Sequence, residues 1–525
     1  MERVPATLLS IPREVRDMIY REFLLIDAED GYVYNPDTGK LQTAGRQPIE
    51  LTLMYTCRQI AAEMSGAALR LHTVNFTTIP SRRAWKWDYI ITRQWKSLQS
   101  ILSFVLPWTC KRPTDTLTGM TSEERALCGA NEPFQSLFTH QQTLRRIIRH
   151  LAATNDDIES FVSTAYLTGS WTADGPNDSY DHDPLRFLSV GTDPWSIPTN
   201  EEMNCTLVNT PTLMHEIDLT RATFDLLPAI ASLDANIPCR FSAGAAAISW
   251  LNSISSNARE NVRKIVVHED QASAVYPETH TQGLIPLCEK YPLMKVERRV
   301  DLWSAVWWKL GSRHFDHDKR SRGQHATKLV ANWVNEASSC PPNFALVFDG
   351  GMWPNKAAPI FQMYVQRDAA WQVTFEKAFK EGSKDSFDAF RSPPKEPYFG
   401  KNFPALLRAI SDKSSHIRCN FDAGTTWTEA QMPEIRDVLK ENATDIRWLE
   451  TWRNTRKGNP PSNVPFFDTD TPEDELRHLY LRMSEIRDEF DENGSVSPNQ
   501  PSVKSIRMEA ETWAAEWLGI PKNEV

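Results

Sequence analysis

The sequence has no GxxxxGK[ST] phosphate cradle, no GxGxxG dinucleotide fingerprint, no HExxH helix and no GxSxG nucleophile elbow. Each absence removes a local signature of catalysis, and together they favour a chain without a reaction of its own. Its eight cysteines (Cys57, Cys110, Cys128, Cys205, Cys239, Cys288, Cys340 and Cys419) stand singly, with no CxxC pair and no zinc-knuckle spacing. Scattered thiols of this kind fit a reducing compartment and buried, inert roles. The longest apolar run, "AGAAAISWL" (243–251), is about half the roughly 18 residues a membrane span needs. Near the N-terminus, Glu2, Arg3 and Pro5 interrupt any apolar leader. The expectation is an intracellular chain, cytoplasmic or nuclear, with no membrane segment and no cofactor.

A concentrated basic face is also missing. Residues 1–150 hold 19 Lys+Arg against 15 Asp+Glu, a net +4, within a chain of net charge −10. A mildly basic front on an acidic body is not the footprint of a nucleic-acid binder. "LRRIIRHL" (144–151) reads as a solvated helix face and "DKRSRG" (318–323) as a loop. What the chain does have is bulk: 525 residues, 41% hydrophobic and 24% charged, enough for roughly two to four packed units of the soluble globular kind. Its 18 Trp and 23 Phe are read as core and interface residues rather than as a base-stacking platform.

Along the chain, "LLSIPREVRDMIYREFLL" (8–25) has helical periodicity, with Ile11, Val15, Met18, Ile19, Tyr20, Phe23 and Leu24 on one apolar stripe. Pro12 suits the first helical position and keeps Ile11 out of the α region, while Glu14 and Asp17 favour the positive end of the helix. Turn signals around "YVY" and "KLQ" predict a hairpin within 27–50, then a second helix over 51–72 and a strand at "TVNFTTI" (73–79). Residues 81–165 read as mainly helical and 169–184 as an exposed loop. Strands and helices then alternate: "CTLVNT" (205–210), helices near 221–234 and 242–256, "RKIVVHED" (263–270), "LMKVERRVDLW" (293–303) and "NFALVFDGG" (343–351). No repeat of 20–50 residues is visible, which argues against a regular solenoid but leaves an irregular α/β layer open. Pro-rich 391–404 and 458–474 read as linkers, and helices are expected in 471–525.

Three polar clusters are candidate chemistry. His268, Glu269 and Asp270 end a predicted strand, with His280 ten residues on; as His-carboxylate ligands they are candidates for a metal or hydrolytic site, though a polar turn after a buried strand is the favoured reading. "HFDHD" (314–318) with His325 sits in a setting polar enough for a solvated loop. "YDHDP" (180–184) and the Asp349-Gly-Gly turn resemble ordinary turn chemistry.

Taken together, the first 80 residues carry a resemblance. Leu9, Ile11, Pro12, Glu14, Val15, Arg16, Ile19 and Tyr20, followed by Thr56, Cys57, Arg58, Ile60 and Glu63 and then Asn75 and Phe76, resemble the F-box-like N-terminal region of filamentous-fungal proteins. The region 241–308 is similar to the central part of many of them. The resemblance implies a small helical module that docks on the adaptor subunit of a cullin-RING ubiquitin ligase while the rest of the chain recruits a substrate. It implies Leu9, Ile11, Pro12, Val15 and Ile19 as the adaptor-binding residues. The sequence pattern alone does not separate such an outward face from one that caps the chain's own core.

The expected architecture is α+β: an N-terminal helical F-box-like module (1–80, with a hairpin insertion at 27–50) packed on a larger irregular α/β recognition body (81–390), then a linker-rich segment (391–470) and C-terminal helices (471–525). The expected function is non-enzymatic recruitment of protein partners. The alternatives are an enzyme centred on His268, Glu269, Asp270 and His280, and an interaction scaffold with no ubiquitin role.

Overall fold

The computed structural model describes residues 7–27, 31–81, most positions of 83–95, 137–154, 193–208, 240–307, 319–381 except 352, and 399–428 except 401. The loop expected at 169–184, the helix near 221–234, the cluster at 314–318, the linker at 458–474 and the C-terminal helices lie outside these residues.

The start of the chain follows its local chemistry. A 3-10 turn, Leu8–Ser10, leads into extended Ile11 (φ −85°, ψ 143°) and then helix α1 (Arg13–Asp27). The carbonyl of Pro12 accepts the first helical N–H bonds, from Val15 (3.2 Å) and Arg16 (3.1 Å). The hairpin forms as β1 (Tyr32–Asn35) and antiparallel β2 (Lys40–Thr43), its turn closed by Asn35 Oδ1 accepting the N–H of Asp37 at 2.9 Å.

The single helix expected over 51–72 is instead a 3-10 turn (Thr52–Tyr55), α2 (Arg58–Met64) and α3 (Ala67–Leu71). The break has a clear cause. Gly66 adopts a left-handed φ of +69°, and a Cβ there would collide with the side chain of Asn261, so glycine is required where the chain turns against the body.

Strand β3 (Thr73–Thr77) is followed by a two-residue pairing of β4 (Ile79–Pro80) with β5 (Arg240–Phe241). Between these lie α4 (Leu137–Thr154) and α5 (Asn200–Val208). The helical Asn200–Val208 replaces an extended "CTLVNT" as far as Val208. Next come α6 (Ala243–Ser253), α7 (Ser256–Asn261), β6 (Lys264–Glu269), α8 (Thr281–Lys290) and β7 (Lys295–Asp301). The remainder comprises α9 (Lys319–Ala337), β8 (Phe344–Asp349), α10 (Pro354–Ile360), α11 (Arg367–Glu381), α12 (Phe403–Ser411) and β9 (Ile417–Cys419). Helix α9 begins inside the stretch 318–323 that reads as a loop from its polarity.

The fold is α+β, built on a mixed seven-stranded sheet of order β2-β1-β3-β6-β7-β8-β9. All neighbours beyond the β1–β2 hairpin are parallel. The strands therefore advance in one direction across the sheet, and the described helices that share its core pack on one face. The core agrees: Phe76, Val267, Val300 and Phe348 from the strands pack with Trp250, Leu284, Val330 and Leu407 from the helices. Successive parallel strands begin between 31 and 191 residues apart, so no fixed period is present for the sequence to display. The hairpin and β3 of the N-terminal segment open the same sheet that β9, within 391–470, completes. Among the described residues, no helix is long and apolar enough to cross a membrane.

Candidate functional site

Among the described residues, helix α1 and the turn before it carry the largest group of exposed apolar side chains. Leu9 is 40% exposed, Val15 42%, Met18 66% and Ile19 38%, and Pro12 beside them is exposed as well. Val15, Met18 and Ile19 stand at i, i+3 and i+4, which puts them on one face of the helix. The other half of the stripe turns inward: Tyr20 and Leu24 are buried with Ile60 and Met64, and Phe23, Leu53, Met54 and Cys57 pack against them. The apolar arc of α1 is thus wider than the surface α2 and α3 can cover, and it divides into a packed half and an exposed half.

A buried polar group holds the exposed half in place. The Arg16 guanidinium grips both oxygens of Glu63 on α2, Nε to Oε2 at 2.9 Å and Nη2 to Oε1 at 2.6 Å. Its Nη1 donates to the carbonyl of Ile11 at 2.5 Å, which fixes the Leu-Ser-Ile-Pro turn against the helix. Tyr20 donates its hydroxyl to Glu63 Oε2 at 2.7 Å, and Gln59 donates to Oε1 at 3.0 Å. Bidentate, charge-assisted bonds of this kind are strong and directional. The hydrogen bond from Arg16 is the main reason the Glu63 carboxyl is held well below the usual carboxylate range. At the start of α2, the Cys57 thiol accepts the N–H of Ile60 at 3.5 Å, serving as a helix cap.

The five residues implied as adaptor-binding therefore share one end of α1. Leu9, Pro12, Val15 and Ile19 are exposed, while Ile11 is half-buried. Sequence reasoning placed Met18 on the stripe but not among the docking residues, although its spacing from Val15 was the signal. Arg16 and Glu63 both belong to the pattern that carries the resemblance, and nothing in their separation of 47 positions signals that they pair.

The second candidate cluster does not converge. Strand alternation sends Glu269 to the helix side of β6 and His268 and Asp270 to the other. Glu269 accepts the first N–H groups of α6, from Ala243 and Gly244 at 3.1 Å each, and the Nε of Arg298 at 3.0 Å. Arg298 also donates to Thr281 Oγ1 and the Pro277 carbonyl, both at 2.7 Å, and lies over the Trp333 ring at 4.5 Å. Gly244 permits this close approach, since a Cβ there would sit 3.1 Å from Arg298 Nη2. His280 is buried against Ser242. Its Nε2 faces the Val275 carbonyl at 2.8 Å and must carry the proton, so its Nδ1 accepts from the Ser242 hydroxyl at 2.5 Å. Burial, with the charge of Arg298 adding to it, pushes that imidazole down to about 3. The pair looks like a nucleophile and base, but Ser242 is fully buried and its oxygen already accepts the N–H of Ala245 at 2.9 Å. Asp270 accepts from Thr78, and His268 lies near Asn75 with its pKa lowered by burial and then by Arg299. Among the described residues, no group of three or more His, Cys, Asp or Glu is placed to hold a metal. The four residues support the sheet and the start of α6.

Compared with known proteins, the chain matches no family model, no curated protein and no solved structure. The class that the described residues define is an α+β chain with an exposed apolar face on its first helix.

Proposed function

We propose that this chain is a protein-recruiting subunit that docks through Leu9, Pro12, Val15, Met18 and Ile19 on the adaptor of a cullin-RING ubiquitin ligase. The body behind them presents a surface to a substrate. The observation that carries this reading is the exposed apolar half of α1, backed by the Arg16–Glu63 clamp. Large apolar side chains clustered on a surface are characteristic of interaction sites, and a clamped helix loses little freedom on binding. The identity of the partner rests on the F-box-like resemblance of residues 8–80.

Affinity capture from the native host, followed by mass spectrometry, tests this reading. The ligase adaptor is expected among the partners of the unaltered chain and absent from those of a Val15→Asp/Ile19→Asp variant. Capture that contains no adaptor, or contains it equally with the variant, contradicts the proposal.

A further inference from the structure

With the helix layer on one face of the sheet, strand alternation assigns the other. On that face Lys264 of β6 and Lys295 of β7 occupy directly paired positions, and both are exposed. Like charges at paired positions repel, and among the described residues no carboxylate answers either lysine. The nearest on the same face, Glu297, is already shared. Its Oε1 accepts from Arg299 at 2.6 Å and its Oε2 from Arg418 at 2.8 Å. Arg418 reaches it across β8 because the position beside Glu297 there is Ala345. Four cations and one carboxylate put these rows of the face at +3, and the three aspartates of its C-terminal rim, Asp270, Asp301 and Asp349, bring the face as a whole to neutral, so its charge is segregated along the strands. The acids of the same face lie at the C-terminal rim and are engaged. Asp301 Oδ1 accepts the N–H of Trp303 and of Ser304, Asp349 Oδ1 accepts from Gly351 and Asn420, and Asp270 Oδ1 accepts from Thr78. The uncompensated charge thus belongs to the lysine end.

We infer that this face docks an acidic peptide segment of a protein partner, laid along the strands with two acidic side chains four residues apart. Lys295 and Arg299 are four residues apart on one strand, about 13 Å, which matches the i to i+4 reach of an extended peptide. One acidic group meets Lys264 and Lys295, and the other meets Arg299 and Arg418. A nucleic acid fits less well, because the outward positions of β3, β6, β7 and β8 carry no Phe, Tyr or Trp ring for bases to stack on and their one imidazole, His268, is largely buried, and the chain's net charge is −10. As the substrate side of the recruiting role, this inference rests on the reading above; the binding itself does not require the adaptor.

The test is fluorescence anisotropy of a labelled Gly/Ser peptide bearing Glu at i and i+4, titrated with the full purified chain alone. Binding is expected, and it weakens as added salt shortens the Debye length from about 10 Å to about 3 Å. It falls at least about tenfold in Lys264→Glu/Lys295→Glu and is unchanged in Lys328→Glu on the helix layer. The Gln version of the peptide does not bind. A Val15→Asp/Ile19→Asp chain binds the peptide normally, so loss of the adaptor contact and loss of this site read out separately. Melting curves confirm that each variant is folded. The inference is overturned if the unaltered chain ignores the Glu peptide, if the lysine variant binds it equally, or if an oligouridylate of the same length binds in preference.

Discussion

Replacing Glu269 with Ala removes the only carboxylate paired with Arg298 among the described residues, and that guanidinium is 0% exposed. Breaking a buried pair by deleting one partner costs about 3–5 kcal/mol, because the remaining charge stays out of water. The same substitution strips two N–H groups at the start of α6 of their acceptor, adding about 1 kcal/mol or more. The expected loss of roughly 4–6 kcal/mol corresponds to a fall in melting temperature of about 5 °C for a chain of 525 residues. The Arg298 charge dominates this sum, so a Glu269→Met/Arg298→Met double variant recovers most of the loss, apolar replacement of a buried pair being close to neutral. Melting followed by near-ultraviolet circular dichroism reads both variants. The reasoning is refuted if Glu269→Ala melts within a degree of the unaltered chain, or if the double variant is no more stable than the single.

Other consequences follow from the same geometry. Val15→Asp/Ile19→Asp alters exposed positions and shifts stability by no more than about 0.5 kcal/mol in chemical denaturation; a large loss would mean these side chains serve the core. The low pKa of His280 means that the unfolded chain binds its proton more tightly than the folded chain between about 6.5 and about 3. Stability is therefore lost as pH falls through that window, and His280→Gln flattens the melting temperature against pH between about 6.5 and 4; an unchanged slope would show that another group governs it. Gly66→Ala places a Cβ on a left-handed residue against Asn261, and a loss of about 1 kcal/mol or more in denaturation is expected; a neutral result would show that this junction gives way.

Much of the layout was legible because local chemistry and tertiary structure agree. Pro12 fixed the start of α1, the Asn35–Gly39 turn fixed the hairpin, and the strands expected within 263–270, 293–303 and 343–351 form at 264–269, 295–301 and 344–349. The helix over 51–72 misled because its apolar stripe runs on through Gly66, whose left-handed backbone is set by contact with a residue almost 200 positions away. The regular advance of the parallel strands left no trace, since their spacing is irregular. "VERRV" hides its role in its alternation. Val296, Arg298 and Val300 share the buried face, so Arg298 needed an acid nearby, and Glu269 supplies it from the diagonal inward position of β6, opposite Val300. The exposed face of α1 escaped for a related reason: periodicity measures how wide an apolar arc is, and its neighbours decide how much of that arc is covered.

The central claim is that the exposed half of α1 is a docking face for a ligase adaptor. Titration calorimetry of the purified chain with the purified adaptor tests it most directly. The account predicts saturable binding that is abolished in Val15→Asp/Ile19→Asp and kept in Lys264→Glu/Lys295→Glu. Absence of heat with the unaltered chain, or equal affinity in the Val15→Asp/Ile19→Asp variant, would contradict it.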